Sequence, residues 1–362
     1  AMIPMQDAVL SFGNSGSDAN DTHIKLLRYY HEAIGKPERR KIIARERSYH
    51  GVTVAAASLT GLPVTQNHFD LPVDALGILR TDHPHYYRGK QGGETEDEFV
   101  DRIVGNLEAM IVSEGPDTIA AFIAEPITGA SGVIVPPDGY YQKVQAVLNR
   151  YDIMFWADEV ITGFGRTGSD FGCNTMGIES PDMMTFAKQL SSAYMPISAS
   201  AIRRDMYDAM IDQTANAGAF GHGYTYSGHP VACAVALKVL EIYQRDQIFE
   251  KAAKTGAYLQ QRLASFADHP LVGEVRGSGL LGALELVANK ETGEAFVGGA
   301  VGGYAQKMAQ DNGLLIRAVA GSSLGICPPL IITEQQIDEM VGKLSKALDA
   351  TLEHCTKQGL LT

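Results

Sequence analysis

Short apolar runs alternate with amphipathic stretches in the first part of the chain. The runs have the length of buried strands and lie at residues 41–44, 118–124, 152–157, 182–187 and 197–202. Helical patterns separate several of them, at residues 18–34, 96–112 and 140–150. Such alternation is typical of a parallel sheet whose strands are joined by crossover helices. The sequence therefore predicts an α/β fold, with a mostly parallel sheet and flanking helices.

The pattern changes after about residue 231. Two helical stretches are followed by two short strand-like runs, at residues 231–243, 249–266, 271–276 and 282–288. A final helix is predicted after Thr333, because TEQQ places Gln336 three residues beyond a threonine, as in a capping box. We therefore divide the chain into a large domain, residues 1–232, and a small C-terminal α+β domain, residues 233–362.

The net charge limits which partners the protein can bind, and the cysteines indicate its compartment. The 362 residues carry a formal net charge of −12 and contain no basic run, which disfavours binding to nucleic acid or to an anionic membrane. No apolar stretch has the length of a bilayer span. The four cysteines lie far apart without a CxxC pair, a pattern typical of free thiols in a reducing compartment. We therefore expect a cytoplasmic protein.

Polar side chains follow several of the predicted strands. Tyr49, His50, Glu125, Asp158 and Lys188 each lie at or shortly after the end of an apolar run. Ligands of open α/β sheets bind beyond the carboxyl ends of the strands. We therefore expect these five side chains to converge on one edge of the sheet.

Lys188 ends the apolar part of the segment TFAKQLSS, which directs it towards the interior. Burying an unpaired ammonium is costly. Such a lysine either reaches back to water along its aliphatic chain or has a partner in a functional site. The segment by itself leaves both interpretations open.

The segment GNSGSDAND directly precedes the first predicted helix. Backbone N–H groups at a helix start, with the hydroxyls of Ser15 and Ser17 beside them, favour a bound phosphate. The same serines, together with Asp18, equally suit a simple helix cap. The segment is not a Walker loop, because the Lys-Ser/Thr ending is absent.

Two further motifs are interpreted as structural. RGSGLLG matches the dinucleotide pattern GxGxxG, but the residues after it continue as a strand, whereas a nucleotide-binding loop opens a helix. His83 and His85 lie in a loop interrupted by proline and have no third metal ligand nearby in the sequence. We therefore expect neither a nicotinamide site nor a metal site.

Pyridoxal phosphate requires a lysine, a carboxylate and a phosphate site together. Its aldehyde binds a lysine, its pyridinium nitrogen binds a carboxylate, and its phosphate needs a group of hydrogen-bond donors. Lys188, Asp158 and the segment GNSGSDAND supply these groups, and Tyr49 offers a flat face for the ring. The combination predicts a pyridoxal phosphate site towards which Lys188 is directed.

The chain resembles the class III aminotransferases, of the fold type I pyridoxal-phosphate superfamily, along nearly its whole length. The matching segments are SGSDAND, RSYHG, AEPITGASGVIVPP, DEVITGFGRTG, AKQLSS and GYTYSGHP. Within the class it is most similar to the omega-amine:pyruvate branch, in IIARERSYHGVTVAAASLTGLP, TDHPHYYR, AKQLSSAYMPISA and ICPPLIIT. The resemblance implies transfer of an amino group from an amine or omega-amino donor to a keto acid such as pyruvate. It also implies a ping-pong sequence through pyridoxamine phosphate, and a homodimer or a dimer of dimers.

The same resemblance implies how the cofactor is held. Gly16 and Ser17 would bind the phosphate through backbone and hydroxyl groups. Tyr49 would stack on one face of the pyridine ring, and Val160 would pack on the other. Asp158 would keep the ring nitrogen protonated, so that the ring can withdraw electrons.

The resemblance also implies the remaining roles. Lys188 would bind the cofactor aldehyde covalently and then move a proton between the substrate carbon and the cofactor. Thr225 would reach the phosphate bound by the neighbouring subunit. Glu125 would lie near the phenolic edge of the cofactor or take part in a pair that controls substrate entry. Arg317 would bind a substrate carboxylate through its bidentate guanidinium and swing aside for an uncharged amine.

Two alternatives remain open at this point. The same scaffold can support an aminomutase or a decarboxylase, and a truncated homologue could bind the cofactor with little activity. Ala1 lies within a few residues of GNSGSDAND, and we therefore expect an N-terminal segment to be missing. In the family, that segment supplies aromatic pocket walls and part of the dimer contact.

Overall fold

Seven strands form one sheet in the computed structural model, which describes residues 2–362. They are β1 (Val9–Gly13), β2 (Lys41–Arg45), β3 (Ile78–Thr81), β4 (Ile119–Ala124), β5 (Met154–Asp158), β6 (Met183–Phe186) and β7 (Ser198–Ile202). Their order is β1-β7-β6-β5-β4-β2-β3. Strands β2 to β6 pair in parallel, whereas β7 is antiparallel to both β6 and β1. The mostly parallel sheet predicted from the sequence is confirmed.

The central strands are buried along their whole length. All residues of β4, β5 and β6 are buried, because a parallel sheet is covered by helices on both faces. Ile123, Trp156 and Met183 pack with Ile24 and Leu27 of the first helix. This burial explains why these strands read as continuous apolar runs rather than as an alternation of apolar and polar residues.

Nine α-helices accompany this sheet in the described chain up to Arg245. They are α1 (Gly16–Ala33), α2 (Val54–Leu59), α3 (Val73–Leu76), α4 (Tyr86–Gly89), α5 (Glu96–Glu114), α6 (Tyr140–Arg150), α7 (Gly172–Met176), α8 (Arg204–Ala217) and α9 (Pro230–Arg245). The helices predicted at residues 18–34, 96–112 and 140–150 correspond to α1, α5 and α6. No helix among residues 2–362 is both long enough and apolar enough to cross a membrane.

The remaining strands form a second, antiparallel sheet. They are β8 (Val272–Ser278), β9 (Leu281–Asn289), β10 (Glu294–Ala295), β11 (Arg317–Val319) and β12 (Ser323–Ile326). The order is β10-β9-β12-β11, with β8 also paired to β9. The motif RGSGLLG forms the turn of the β8–β9 hairpin, as the interpretation against a dinucleotide site requires.

Three helices follow in this part of the chain, α10 (Ile248–Ala264), α11 (Ala300–Asp311) and α12 (Glu334–Gln358). Thr333 caps α12, and its side chain and that of Gln336 form the reciprocal hydrogen bonds of a capping box. The predicted start of the last helix is confirmed.

The chain divides into two compact units. The first contains the residues up to Pro126, Pro136–Phe164 and Phe171–Arg245, and the second contains Ile127–Val135, Gly165–Asp170 and Asp246–Thr362. The domain boundary after residue 232 stays a prediction.

Candidate active site

A cavity of about 400 Å³ lies in the first unit, where β4, β5 and β6 end. Its walls include most of the residues that the sequence predicts for the site: Gly16, Ser17, Tyr49, Glu125, Asp158, Val160 and Lys188. The strands run parallel there, so the residues that follow them meet at one edge of the sheet. The expected convergence is therefore present.

Two predicted site residues lie elsewhere. Thr225 is exposed in the turn between α8 and α9 of the first unit and does not line the cavity. Arg317 is exposed at the start of β11, in the second unit. The roles assigned to both residues stay predictions.

Lys188 begins a 3-10 turn directly after β6. Its backbone is left-handed, with φ 40, and so are those of Ser192 (φ 51) and Ala193 (φ 63). Each such non-glycine residue costs on the order of 1 kcal/mol and persists only where the surrounding structure holds it. The Tyr243 hydroxyl lies 2.8 Å from the Gln189 carbonyl, to which it donates a hydrogen bond, and 3.2 Å from the Ser192 hydroxyl oxygen. The turn that carries the lysine is thus strained and held in place.

The sequence predicts that Lys188 is directed towards the protein interior. In the structure the residue is instead exposed, and it lines the cavity. The turn after β6 explains the difference, because the lysine comes after the buried strand rather than within it.

Asp158, at the end of β5, is a buried carboxylate with three hydrogen-bond donors. Its Oδ2 accepts from His50 Nδ1 at 2.8 Å and from Asn20 Nδ2 at 3.1 Å. Its Oδ1 accepts from the backbone N–H of Val160 at 3.1 Å. Burial raises the pKa of Asp158, but the hydrogen bond and charge of His50, with the other two donors, outweigh it and hold that pKa below its ordinary value. The carboxylate is therefore kept ionised.

The start of α1 combines a helix cap with free N–H groups. Ser15 accepts from the backbone N–H of Asp18, and Asp18 accepts from that of Ser15, in a capping box. The N–H groups of Gly16 and Ser17, in the first turn, have no partner within the helix, and both residues line the cavity. The two interpretations of GNSGSDAND are therefore compatible: the cap is observed, and the phosphate site stays a prediction.

Bare backbone forms part of the cavity wall. A Cβ atom added to Gly16 would lie 3.0 Å from Val160 Cγ2. One added to Gly51 would lie 2.8 Å from Ser17 Cα, and Gly51 also has φ +128, which side-chain-bearing residues rarely adopt. Ser17 Oγ accepts the backbone N–H of Val52 at 3.1 Å, which ties this loop to the start of α1. The space beside α1 thus depends on the absence of side chains at these two glycines.

Tyr49 and Glu125 are linked on another wall of the cavity. Glu125 is buried, and its Oε1 accepts the backbone N–H of Tyr49 at 2.9 Å. The carbonyl of Glu125 accepts from the guanidinium of Arg45 at 2.6 Å and from the Tyr141 hydroxyl at 2.7 Å. Arg45 and Tyr141 are fully buried, so two buried side chains hold the backbone of Glu125 in place.

His50 and Asn20 support Asp158, a role that the sequence did not assign to either. His50, which the sequence placed at the sheet edge, lines the cavity and is buried against Asp158, and its Nε2 has no hydrogen-bond partner among the described residues. Asn20 was not predicted for the site. It lies one helical turn after Gly16, on the same face of α1, and its amide contacts the same carboxylate, so its spacing from Gly16 could have indicated it.

The groups around the cavity fit pyridoxal phosphate. A buried, ionised carboxylate suits a pyridinium nitrogen, unpaired N–H groups at a helix start suit a phosphate, and a primary amine suits an aldehyde. Asp158, the Gly16–Ser17 turn and Lys188 supply these three groups within one cavity. The side chains of Tyr49 and Val160 add a flat ring and an apolar contact.

Comparison with known proteins identifies relatives along most of the chain. The family model described as Aminotransferase class-III matches residues 1–348. Gamma aminobutyrate transaminase 3, chloroplastic, of Solanum lycopersicum is 49% identical over 341 residues, which cover 94% of this chain and 65% of the relative. Diaminobutyrate--2-oxoglutarate transaminase of Halomonas elongata is 44% identical over 355 residues, covering 97% of this chain and 75% of the relative. The chain thus spans just under two thirds of the length of the first of these relatives.

Solved structures give the same result. A structure described as a transaminase with L-ala is 50% identical in sequence and superposes with a TM-score of 0.94. The match covers 98% of this chain and 82% of the chain in that structure. The omega transaminase from Pseudomonas jessenii in complex with PMP is 48% identical in sequence, with a TM-score of 0.94. This match covers 97% of this chain and 77% of the chain in that structure. The predicted fold, that of the fold type I transaminases, is confirmed. By its sequence, its fold and the residues around its cavity, this chain belongs to the class III aminotransferase family.

Proposed function

We propose that this chain is a pyridoxal-phosphate-dependent transaminase that moves an amino group from an amine or omega-amino donor to a keto acid. One observation carries the proposal: Lys188 and the ionised Asp158 line the same cavity as the start of α1. These are the groups that bind the aldehyde, the ring nitrogen and the phosphate of this cofactor.

The residues of the first unit would hold the cofactor as follows. Gly16 and Ser17 would donate hydrogen bonds to the phosphate, and Tyr49 and Val160 would pack on the two faces of the ring. Asp158 would keep the ring nitrogen protonated, since its own donors hold it ionised. When bound, the cofactor supplies a ring that withdraws electrons from the substrate carbon.

Lys188 would act twice in the reaction. Its Nζ would bind the cofactor covalently at rest and, once displaced by the amine substrate, would take a proton from the substrate carbon and deliver it to the C4′ carbon of the cofactor. The turn after β6 fixes the backbone from which the Lys188 side chain enters the cavity. Glu125 would lie near the phenolic edge of the cofactor or take part in a pair that controls substrate entry, and Arg317 would bind a substrate carboxylate.

Pyruvate is the acceptor that we infer. The support is a structural neighbour described with L-ala, because alanine is the amino acid that pyruvate becomes when it accepts an amino group. A relative named for 2-oxoglutarate makes that keto acid the second candidate. An aminomutase or decarboxylase would use the same lysine and carboxylate, but the relatives compared above are named transaminases.

We also propose a homodimer, or a dimer of dimers, and a cytoplasmic location. Thr225 lies exposed and outside the cavity, as expected of a residue that serves a neighbouring subunit. The cysteines are unpaired in the described chain, which suits a reducing compartment.

Borohydride reduction tests the proposal directly. We expect the purified protein to show the absorbance of bound pyridoxal phosphate, borohydride to fix it, and peptide mapping to locate the label on Lys188. Lys188→Ala should keep its circular dichroism spectrum but form no alanine from an amine and pyruvate, whereas Lys254→Ala, an exposed lysine of α10, should behave as wild type.

A label on another lysine, or alanine formation by Lys188→Ala, would contradict the proposal. Consumption of the amine without alanine or glutamate as a product would instead favour the aminomutase or decarboxylase.

A further inference from the structure

Thr185 lies three residues before Lys188 and makes an unusual number of polar contacts for a fully buried residue of β6. Its Oγ1 is 2.8 Å from Trp156 Nε1, 2.7 Å from Asn20 Oδ1 and 3.0 Å from His23 Nδ1. All four residues are buried. The hydroxyl therefore joins two strands and α1 behind the cavity.

The orientation of the Asn20 amide follows from its neighbours. Its nitrogen lies 3.1 Å from Asp158 Oδ2 and 2.6 Å from the His50 carbonyl, and both of these atoms only accept hydrogen bonds. The amide must therefore present its NH₂ group to them and its oxygen to Thr185. The reverse orientation would place an oxygen against two acceptors.

The proton of the Thr185 hydroxyl can then be assigned. The indole nitrogen of Trp156 is a donor only, so Thr185 accepts from it. The single hydroxyl proton goes to Asn20 Oδ1, the shortest of the three contacts.

Burial lowers the pKa of His23 to about 3, so its ring is neutral near pH 7 and carries one proton. Its Nδ1 lies 3.0 Å from the Thr185 hydroxyl oxygen, and its Nε2 lies 3.3 Å from the Ala201 carbonyl oxygen. Because the hydroxyl proton is directed to Asn20, we assign the ring proton to Nδ1, where it serves the shorter contact, and Nε2 then makes no hydrogen bond to the carbonyl. The result is a directed chain of hydrogen bonds that ends at Asp158.

We propose that Thr185 is a positioning residue for Asp158: it holds the Asn20 amide in place, and thereby keeps a donor on the carboxylate that pairs with the cofactor's ring nitrogen. Without the hydroxyl, the oxygen of the Asn20 amide loses its donor, and the amide can move away from Asp158. A carboxylate that loses a donor is protonated more easily, which favours a neutral Asp158 and an unprotonated ring. This inference rests on the proposed function.

The test compares Thr185→Val, which keeps the shape but lacks the hydroxyl, with Thr185→Ser, which keeps it. The dissociation constant of pyridoxal phosphate and the resonance of the bound cofactor's ring nitrogen, labelled with ¹⁵N, are measured for each. For Thr185→Val we expect a dissociation constant about tenfold higher and a resonance shifted towards that of the unprotonated ring. Thr185→Ser should remain close to wild type in both.

A thermal melt of each variant separates positioning from stability. A purely structural role would lower the melting temperature of Thr185→Val but leave the nitrogen resonance of the loaded protein unchanged. That result, or a wild-type dissociation constant and resonance in Thr185→Val, would overturn the proposal. Should Thr185→Val not fold, Thr185→Ala, which also lacks the hydroxyl, replaces it.

A measurement on the wild-type chain needs no variant. Trp156 is the single tryptophan, so the protein has one indole N–H resonance. Pyridoxal phosphate should move this resonance more than an analogue with carbon in place of the ring nitrogen, because only the nitrogen pairs with Asp158. Equal shifts would overturn the proposal, whereas a wild-type chain that binds no pyridoxal phosphate would contradict the proposed function instead.

Discussion

Asp158 illustrates how neighbours decide the charge of a buried side chain. Burial alone would favour the protonated carboxyl, but His50, Asn20 and the N–H of Val160 surround it with donors. The donors come from three different parts of the chain, so the ionised state depends on the fold and not on local sequence. A cationic ring nitrogen is the partner that such a carboxylate suits.

Gly51 provides a test at the level of one residue. Gly51→Ala would put a Cβ 2.8 Å from Ser17 Cα, at φ +128, and should therefore displace the loop that is bonded to the start of α1. We expect the dissociation constant of pyridoxal phosphate to rise about tenfold or more, measured by absorbance titration. Gly93→Ala is the matched control, because a Cβ there meets nothing within 4 Å. Equal dissociation constants for the two variants would contradict the phosphate site at α1.

Some site residues could be predicted from the sequence, and others could not. Lys188 and Asp158 follow strands, so their place at the sheet edge was predictable from the pattern of apolar runs. The contact of Asn20 with Thr185 joins residues 165 apart in sequence, and that of Asn20 with Asp158 joins residues 138 apart. No local pattern encodes such pairs, because they depend on how α1 packs on the sheet.

The elements themselves were predictable to different degrees. Helix α6 begins and ends where the sequence predicts, at Tyr140 and Arg150, and α12 begins at its predicted cap. The edge strand β1, with exposed residues in its middle, was not predicted, because it lacks the apolar run that marks a buried strand. The antiparallel direction of β7 was not predicted either, since direction is set by pairing and not by composition.

Helix α1 carries a buried histidine that makes stability depend on pH. Burial, with a smaller contribution from Arg39, lowers the pKa of His31 from 6.5 to about 4. Between these values the unfolded chain binds a proton that the folded chain does not, so stability is complete above pH 6.5 and falls as pH decreases towards 4. One such group contributes a slope of at most about 1.4 kcal/mol per pH unit.

His31→Phe should remove that part of the slope. The measurement is the free energy of unfolding of the apo chain in urea at several pH values between 7 and 4.5. His68→Asn is the control, since His68 is exposed and has a left-handed backbone, φ 74, that asparagine also accepts. An unchanged slope in His31→Phe would show that His31 does not titrate in this way.

At the scale of the whole molecule, the proposed dimer predicts that two inactive variants restore activity when they are paired in one dimer. A Lys188→Ala chain lacks the amine but offers Thr225, and a Thr225→Ala chain keeps the amine but would need Thr225 from its partner. A mixed dimer therefore contains one complete site, and we expect about half of the wild-type activity per dimer. The measurement is alanine formation by doubly tagged, co-expressed chains purified through both tags.

The two parent homodimers serve as controls. Activity no higher than theirs in the mixed dimer would mean that Thr225 does not serve the neighbouring subunit.

The path of the chain between its two compact units has a consequence for protein engineering. The second unit gathers three separate segments. Within it, Arg276 Nε donates to the Gly132 carbonyl at 2.8 Å, and Arg166 Nη1 donates to the Leu280 carbonyl at 3.0 Å. A chimaera that exchanged only the stretch after Arg245 with a relative would leave Gly132 and Arg166 facing foreign partners. A working graft has to transplant all three segments together.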